Sequence, residues 1–565
     1  MTLLLGWSMA GPLGGVVTDS DGVPLEGVPV YAYDNRLAYE VTTTLADGTW
    51  ALDVPDGLWR VRAVPTQSNH VERFYPGVWD FCDGTVLDDA VQLDFALGPA
   101  GQLEGQIVDV DGQPIDDVLV SCLGMEQRNA LIGRAAMSND EGRFRCIGLD
   151  SAPDGSAYAV AAEVEGWPDQ FLGGVYRDND GPEPVTVTVG AQTDIGTFQL
   201  MSGITVEGTL IGYDGPVEAA NVHVYSYGQV RDTLSGPDGT YAVEGLPPGD
   251  VIPWASLPGY GITYYPNNLL PQSELEADEG DALVGVDIEL PEEARITGFV
   301  QGEGDLSGVT LLAYNETYTV ALGAAVDADG AYSAQRLREG IWHLYFYAAA
   351  EGYLDDFARD PQGERLTITL DGPGDEVSLD VALVLGGTLS GVVLDDAGEP
   401  VYGAVVRSSH VDSEEYRSRS TRTDRDGSYA LNGLAPGAHA LEVSTTVYCE
   451  GDPDHTSSWY PDARTEGGAT LVELVGGEHV ALDLVAPVDS DHDDMADVWE
   501  DEVGLDVGRN DGDEDPDGDG LTNLDEYLAD SDPFDQADSE RTCGGCNGGA
   551  TGPWMLLLLL MRRRD

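Results

Sequence analysis

The sequence contains no lysine: all 26 basic residues are arginine. That absence excludes a P-loop lysine, a Schiff-base lysine and a Ser–Lys catalytic pair. Histidine is scarce, with 8 residues scattered along the chain. They form no His-Glu-x-x-His motif, and there is no Gly-x-Ser-x-Gly elbow. Positive charge is short overall, since 102 Asp and Glu leave a net charge of −76. Such a chain is repelled by nucleic-acid phosphates and anionic headgroups, which argues against both as partners. No apolar run approaches the roughly 20 residues a bilayer-spanning helix needs.

What is present suits folded, turn-rich β domains. The chain is 42% hydrophobic, with 10 Trp, 25 Tyr and 10 Phe, enough to build cores despite the charge. It has 72 Gly and 31 Pro, a load typical of many tight turns. A length of 565 residues implies several domains at about 100–150 residues each.

One pattern recurs five times: an Asp, a Gly, one residue, then an aromatic. It appears at Asp47-Gly48-Thr49-Trp50, Asp140 to Phe144, Asp238 to Tyr241, Asp329 to Tyr332 and Asp426 to Tyr429, with glycines 94, 97, 91 and 97 residues apart. Gly accepts positive φ and Asp bonds its own backbone there, so the step reads as a hairpin whose aromatic points inward. Each unit opens on a Gly that begins an alternating strand: Gly15, Gly105, Gly208, Gly298 and Gly391. Second strands follow, such as Val28–Tyr33 and Val222–Tyr225. A Leu-x-x-Gly-x-aromatic step then leads into strands such as Trp342–Tyr347. Closing strands follow at Val91–Leu97 and Val286–Leu290. Period-2 alternation with frequent turns reads as a small β-sandwich.

These units resemble the carboxypeptidase regulatory-like domain, a transthyretin-like sandwich of about seven strands, over nearly all of residues 11–486. The expected fold is all-β: five tandem β-sandwich domains in an extended array, at 11–98, 99–201, 202–291, 292–386 and 387–486. A calcium-binding loop segment with short helices follows. Two related families are tested by the residues. Pilin domains of the Cna-B type carry a Lys–Asn isopeptide bond, which a chain without lysine cannot form. Starch-binding-like sandwiches stack paired aromatics on sugars. The aromatic-Pro steps, with Tyr264 and Tyr265 or Trp459 and Tyr460, offer such pairs as glycan contacts. The other reading is that they plug a sandwich end or an interdomain joint.

Residues 487–540 hold 22 Asp and Glu against one Arg. Asp515, Asp517, Asp519, Asn523 and Glu526 fall at positions 1, 3, 5, 9 and 12 of a loop, with Gly520 at position 6 and the Leu521 carbonyl at 7. That is the calcium-loop spacing of an EF-hand, and a terminal bidentate Glu suits Ca²⁺ over Mg²⁺. A second copy places Asp489, Asp491, Asp493, Asp497 and Glu500 in the same register, with the Met495 carbonyl at position 7. Asp494 there replaces the position-6 Gly, and Asp visits positive φ at some cost. Short helices are expected at Val498–Val503 and Leu524–Leu528. Asn510, Asp511 and Asp513 between the loops offer bridges to extra ions. The arrangement resembles thrombospondin type 3 repeats; the alternative is a solvated acidic linker.

The ends carry their own signals. Residues 1–10 are apolar and end in small residues, as a truncated export signal does, but have no positive n-region. A strand lead-in and a misplaced start codon stay open beside that reading. Residues 541–565 combine Cys543 and Cys546, a Gly-rich spacer, the apolar run Trp554–Met561 and Arg562, Arg563 and Arg564. This order resembles the MYXO-CTERM sorting signal of myxobacterial surface proteins. The resemblance implies export, a location at the cell surface or outer membrane, and membrane contact only through this signal. Cys122 and Cys146 lie on strands of one sandwich, as a disulfide or as buried thiols; Cys82 and Cys449 sit in edge loops. His439 stands where other units place an aromatic. Five equivalent units leave no obvious catalytic domain. The reading is a non-enzymatic, calcium-binding surface protein acting as a spacer or adhesin. Its partners are calcium and an extracellular glycan or envelope protein, and the alternative function is glycan binding.

Overall fold

The computed structural model describes residues 13–536, apart from 35–38, 56–58, 79–80, 88–90, 126–132, 151–156, 177–180, 272–274, 414–417 and 446–453. The end signals at 1–10 and 541–565, with Cys543, Cys546 and Arg562 to Arg564, lie outside the described residues, as does Cys449. The chain forms two compact units, Met1–Leu385 and Gly386–Asp565. No helix among the described residues is long and apolar enough to cross a membrane.

The protein is nearly all β, built as sandwiches. In the third repeat the opening strand Ile204–Gly212 lies between Thr240–Leu246, antiparallel to it, and the closing strand, parallel to it. The second sheet runs Gln229–Leu234, Asn221–Ser226, Gly249–Ser256, Thr263–Tyr264, with Leu275–Ala277 also on Gly249–Ser256. The other repeats build the same pair of sheets around their own strands. Alternation explains the layers: Val222 and Val224 are buried while Asn221 before them and His223 between them are not, so one face of each sheet packs inward. Each repeat has its own core, including Trp59 and Phe95 in the first, Phe144 and Phe198 in the second, and Trp342 and Phe346 in the fourth.

The Asp-Gly-x-aromatic step is not a hairpin within one sheet, as the spacing suggested. Tyr39–Thr43 pairs with Pro29–Asp34, whereas Thr49–Leu52 pairs with Leu13–Asp19. The turn therefore carries the chain from one sheet to the other. Its glycines do hold positive φ, from +71° at Gly142 to +85° at Gly330, and Asp47 accepts from the Thr49 amide and hydroxyl. The aromatics point inward as expected, with Trp50, Phe144, Tyr241, Tyr332 and Tyr429 all buried.

Cys122 and Cys146 form a disulfide with Cα atoms 6.5 Å apart, joining the two sheets of the second sandwich. His439 is buried, and its Nε2 sits 2.7 Å from the Ala435 carbonyl. Trp59 and Trp342 donate an indole N–H to the carbonyl four residues earlier in the same way. Burial lowers the His439 pKa, so the ring acts as a neutral stand-in for the indole.

Candidate metal centre

The acidic segment is folded onto the fifth sandwich. Val488–Asp489 pairs with Asp454–His455, so position 1 of the first loop begins on a sandwich-anchored strand. The Thr456 hydroxyl donates to the Asp494 carbonyl at 3.0 Å. Arg464 donates to the Tyr527 carbonyl at 2.7 Å and lies over the rings of Tyr527 and Trp499. Met495, Ala496, Trp499 and Tyr527 make a small core beneath the loops, with the two aromatic rings 5.1 Å apart. The exit helices run Asp497–Val503 and Asn523–Ala529, each starting one residue before the sequence placed it. Thr522 caps the second through a reciprocal bond with Asp525.

The two loops fold alike. Asp489 accepts from the amides of His492 and Asp494 at 2.8 and 3.0 Å, and Asp515 accepts from those of Gly518 and Gly520 at 2.8 and 3.0 Å. Asp493 and Asp519 each accept from the amide two residues on, Met495 and Leu521. Position 1 thus holds positions 4 and 6 in both loops, as the shared register requires. Asp494 takes φ +67°, the left-handed conformation that Gly520 takes at +100°. The missing glycine therefore does not unmake the first loop.

Three carboxylate groupings have oxygens within 4.8 Å of one another among the described residues. They are Asp489, Asp491 and Asp493; Asp493, Glu500 and Asp511; and Asp515, Asp517 and Asp519. The middle one is entirely buried. Glu500 has no exposed surface, and neither carboxylate oxygen has a hydrogen-bond partner. Both Asp491 oxygens are buried as well, facing the Arg509 backbone. Buried carboxylates normally accept several hydrogen bonds, because an unpaired buried charge is costly. Burial, reinforced by Asp493, Asp491, Asp497 and Asp511, pushes the Glu500 carboxyl up to about 8. Burial first, then Asp491 and Asp489, raises Asp493 to about 6. A hard divalent cation is what such an oxygen-only set suits.

The position-9 residues behave differently from the register. Asp497 accepts from the Ser490 amide and hydroxyl at 2.7 and 2.6 Å. Asn523 is buried and donates to the Asp511 carbonyl at 2.9 Å. Glu526 is buried and accepts from Ser531 at 3.3 Å. The sequence marks Asp511 only as one of several bridging residues. Its full burial beside Glu500 depends on how the inter-loop chain folds back, which no local spacing encodes.

The four aromatic candidates for glycan contact separate. Tyr265 packs against the third core and Tyr460 against the fifth. Tyr264 stacks on Trp254, and both rings pack against the core of the fourth sandwich, at a joint. Trp459 is half-buried. The peptide bonds Tyr75–Pro76, Tyr265–Pro266 and Tyr460–Pro461 are all cis.

Residues 388–456 match the carboxypeptidase regulatory-like domain family. The chain is 25% identical over 257 residues to the serine-aspartate repeat-containing protein D of Staphylococcus aureus. That match covers 38% of this chain and 19% of the relative, so it spans about a fifth of the relative's length. A streptococcal ancillary pilin matches 49% of this chain and 99% of its own at 14% identity and a TM-score of 0.21. A minor pilin of Streptococcus agalactiae matches 34% of this chain and 96% of its own at 15% identity and a TM-score of 0.20.

Proposed function

We propose that this chain is a non-enzymatic, calcium-binding protein of the cell surface, in which tandem sandwiches act as a spacer or adhesin. The observation that carries the calcium reading is Glu500, buried with both oxygens unpartnered beside Asp493 and Asp511. Asp489, Asp491, Asp493 and Glu500 supply the first site, and Asp515, Asp517, Asp519 and Glu526 the second. The carbonyls of Met495 and Leu521 add to each in the loop register. Calcium suits these sites better than magnesium, since the flexible, many-oxygen set favours the larger ion. The affinity expected of an extracellular module, about 10⁻⁴–10⁻³ M, makes the ion structural. The thrombospondin type 3-like arrangement and the MYXO-CTERM-like end support export to the surface. The recurring sandwich, without any catalytic motif, supports a mechanical role.

Circular dichroism and limited proteolysis of the full chain, with and without a chelator, test the calcium reading. Chelation should open residues 487–536 to protease while the sandwiches stay protected. Unchanged protection would sink it. Cell fractionation with mass spectrometry of the mature termini tests export.

Glycan binding is the second reading, and one surface favours it. Tyr345 and Tyr347 lie on the outer face of the fourth sandwich with ring centroids 4.9 Å apart. Tyr347 borders a groove of about 350 Å³ lined by Thr310, Leu312, Gly323 and Ala325. Tyr347 is exposed with the half-buried Tyr345 edge-on beside it, so the Tyr347 ring is the one open to a sugar face. A polysaccharide pull-down comparing the natural chain with Tyr347→Ala and Trp459→Ala decides it. Loss of capture supports sugar contact, and no capture across common glycans rejects it.

A further inference from the structure

We infer that Asp511, which lies outside both loop registers, is a calcium ligand of the first loop, and that through Asn523 it couples the filling of the two loops. The inference rests on the reading that the loops bind calcium.

The first loop is short of a ligand by its own register. Its position-9 residue, Asp497, turns its oxygens to the Ser490 amide and hydroxyl and belongs to none of the three carboxylate groupings. Glu500 meanwhile has two buried oxygens with no donor at all. The side chain that comes to it is Asp511, whose carboxylate is fully buried and within 4.8 Å of the Asp493 and Glu500 oxygens.

The chain around Asp511 is laid against the loop by specific contacts. The Asp511 amide donates to Asp493 Oδ2 at 3.2 Å, and Asn510 Nδ2 donates to the His492 carbonyl at 2.9 Å. A methyl group on Gly512 would stand 2.9 Å from the Asp493 carbonyl oxygen, so glycine there permits the approach. Arg509 Nη2 donates to Asp511 Oδ2 at 2.8 Å, and Asn523 Nδ2 lies 3.3 Å from Oδ1. Each carboxylate oxygen keeps a second lone pair, so both can also face a cation.

The same residue reaches the second loop. Asn523, at position 9 of that loop, donates to the Asp511 carbonyl at 2.9 Å, and its own Oδ1 is buried without a partner. The Leu524 amide donates to the Gly512 carbonyl at 3.1 Å, and the Asn523 amide to the Glu514 carbonyl at 2.8 Å. The exit helix of the second loop is therefore seated on the strip that completes the first. An ion that orders Asp511 also orders Asn523, and each loop then binds more tightly once the other is filled.

The test is calcium titration of the full chain by calorimetry, with terbium luminescence excited through Trp499 as a reporter of the first loop, since Trp499 adjoins Glu500. Asp511→Asn should weaken the first-loop site by about tenfold or more, and Asp497→Asn by less than about threefold. Arg509→Ala, at an exposed side chain, should tighten the first loop by about twofold or more, because a competing cation leaves Asp511. Glu526→Gln, which damages only the second loop, should weaken the first by about threefold. Wild-type first-loop affinity in both Asp511→Asn and Arg509→Ala overturns the ligand assignment, even where the loops bind calcium. A first loop unmoved by Glu526→Gln overturns the coupling. No calcium bound by the natural chain overturns the underlying reading instead.

Discussion

At Gly391 an added methyl group would overlap the Leu482 carbonyl oxygen, and Tyr429, its partner across the sheet, donates its hydroxyl to that same carbonyl at 2.8 Å. Gly298 and Tyr332 do the same with Leu379, and Gly208 and Tyr241 with Val286. The opening glycine makes room for a kinked closing strand, and the tyrosine satisfies the carbonyl the kink exposes. The insertion does not require the hydroxyl: in the first repeat the Leu93 carbonyl fills the space at Gly15 opposite Trp50, whose indole nitrogen has no partner. In the second repeat, opposite Phe144, the Ile195 side chain fills the space at Gly105 instead. Both residues are visible in the sequence as recurring marks. Their joint purpose is not, because the third partner arrives from a strand 45 to 53 residues beyond the tyrosine. Gly391→Ala should destabilise the fifth sandwich by about 3 kcal/mol through steric overlap. Tyr429→Phe should cost about 1–2 kcal/mol by orphaning a buried carbonyl. Hydrogen exchange of the full chain, read on Gly387–Leu394 and Ser428–Leu434, measures both. Equal protection in both variants would show that the kink is held by other contacts.

Elements meet at the joints within the first unit, and there the sequence said less. Glu72 lies between Arg62 of its own sandwich and Arg134 of the next, and Arg73 pairs with Asp150 across the same joint. The next joint is held by Gln170, which exchanges two bonds with the Met201 backbone, and by Arg231 on Asp169. The one after uses Glu293, which accepts from the Gly259 and Arg336 amides at 3.1 Å. Period-2 alternation finds strands because it is local; these bonds join residues that no short window compares. Charge counting also hides them, since a few buried acids vanish among 102. Removing Glu72 leaves Arg62, 5% exposed, without its charge partner. Glu72→Ala should therefore destabilise the first joint by about 3–5 kcal/mol, far more than an exposed pair would cost. Faster proteolysis near residues 98–101, with later joints unchanged, is the expected readout. A cleavage pattern like the natural chain's would reduce this network to decoration.

Across the whole molecule, the net charge of −76 acts in two separable ways. Diffuse repulsion among exposed carboxylates weakens with any salt, because the Debye length falls to about 10 Å at 0.1 M. The clustered carboxylates of 489–526 respond to a specific ion, because their oxygens converge within 4.8 Å and part of the set is cut off from water. Only the unit Gly386–Asp565 contains such clusters among the described residues. Ligand linkage then sets the size of the effect: calcium at about 100 times its dissociation constant adds about 2.7 kcal/mol per site to the unit that binds it and nothing to the other. Scanning calorimetry at fixed ionic strength separates the two. Exchanging sodium for calcium should raise the melting transition of Gly386–Asp565 and leave that of Met1–Leu385 in place. Glu500→Gln should erase most of that rise, because it removes a charge from the most buried grouping while the diffuse charge barely changes. If both transitions rise together, and Glu500→Gln makes no difference, calcium is acting on this protein as a screening ion, and the buried carboxylates stay protonated instead of metal-bound.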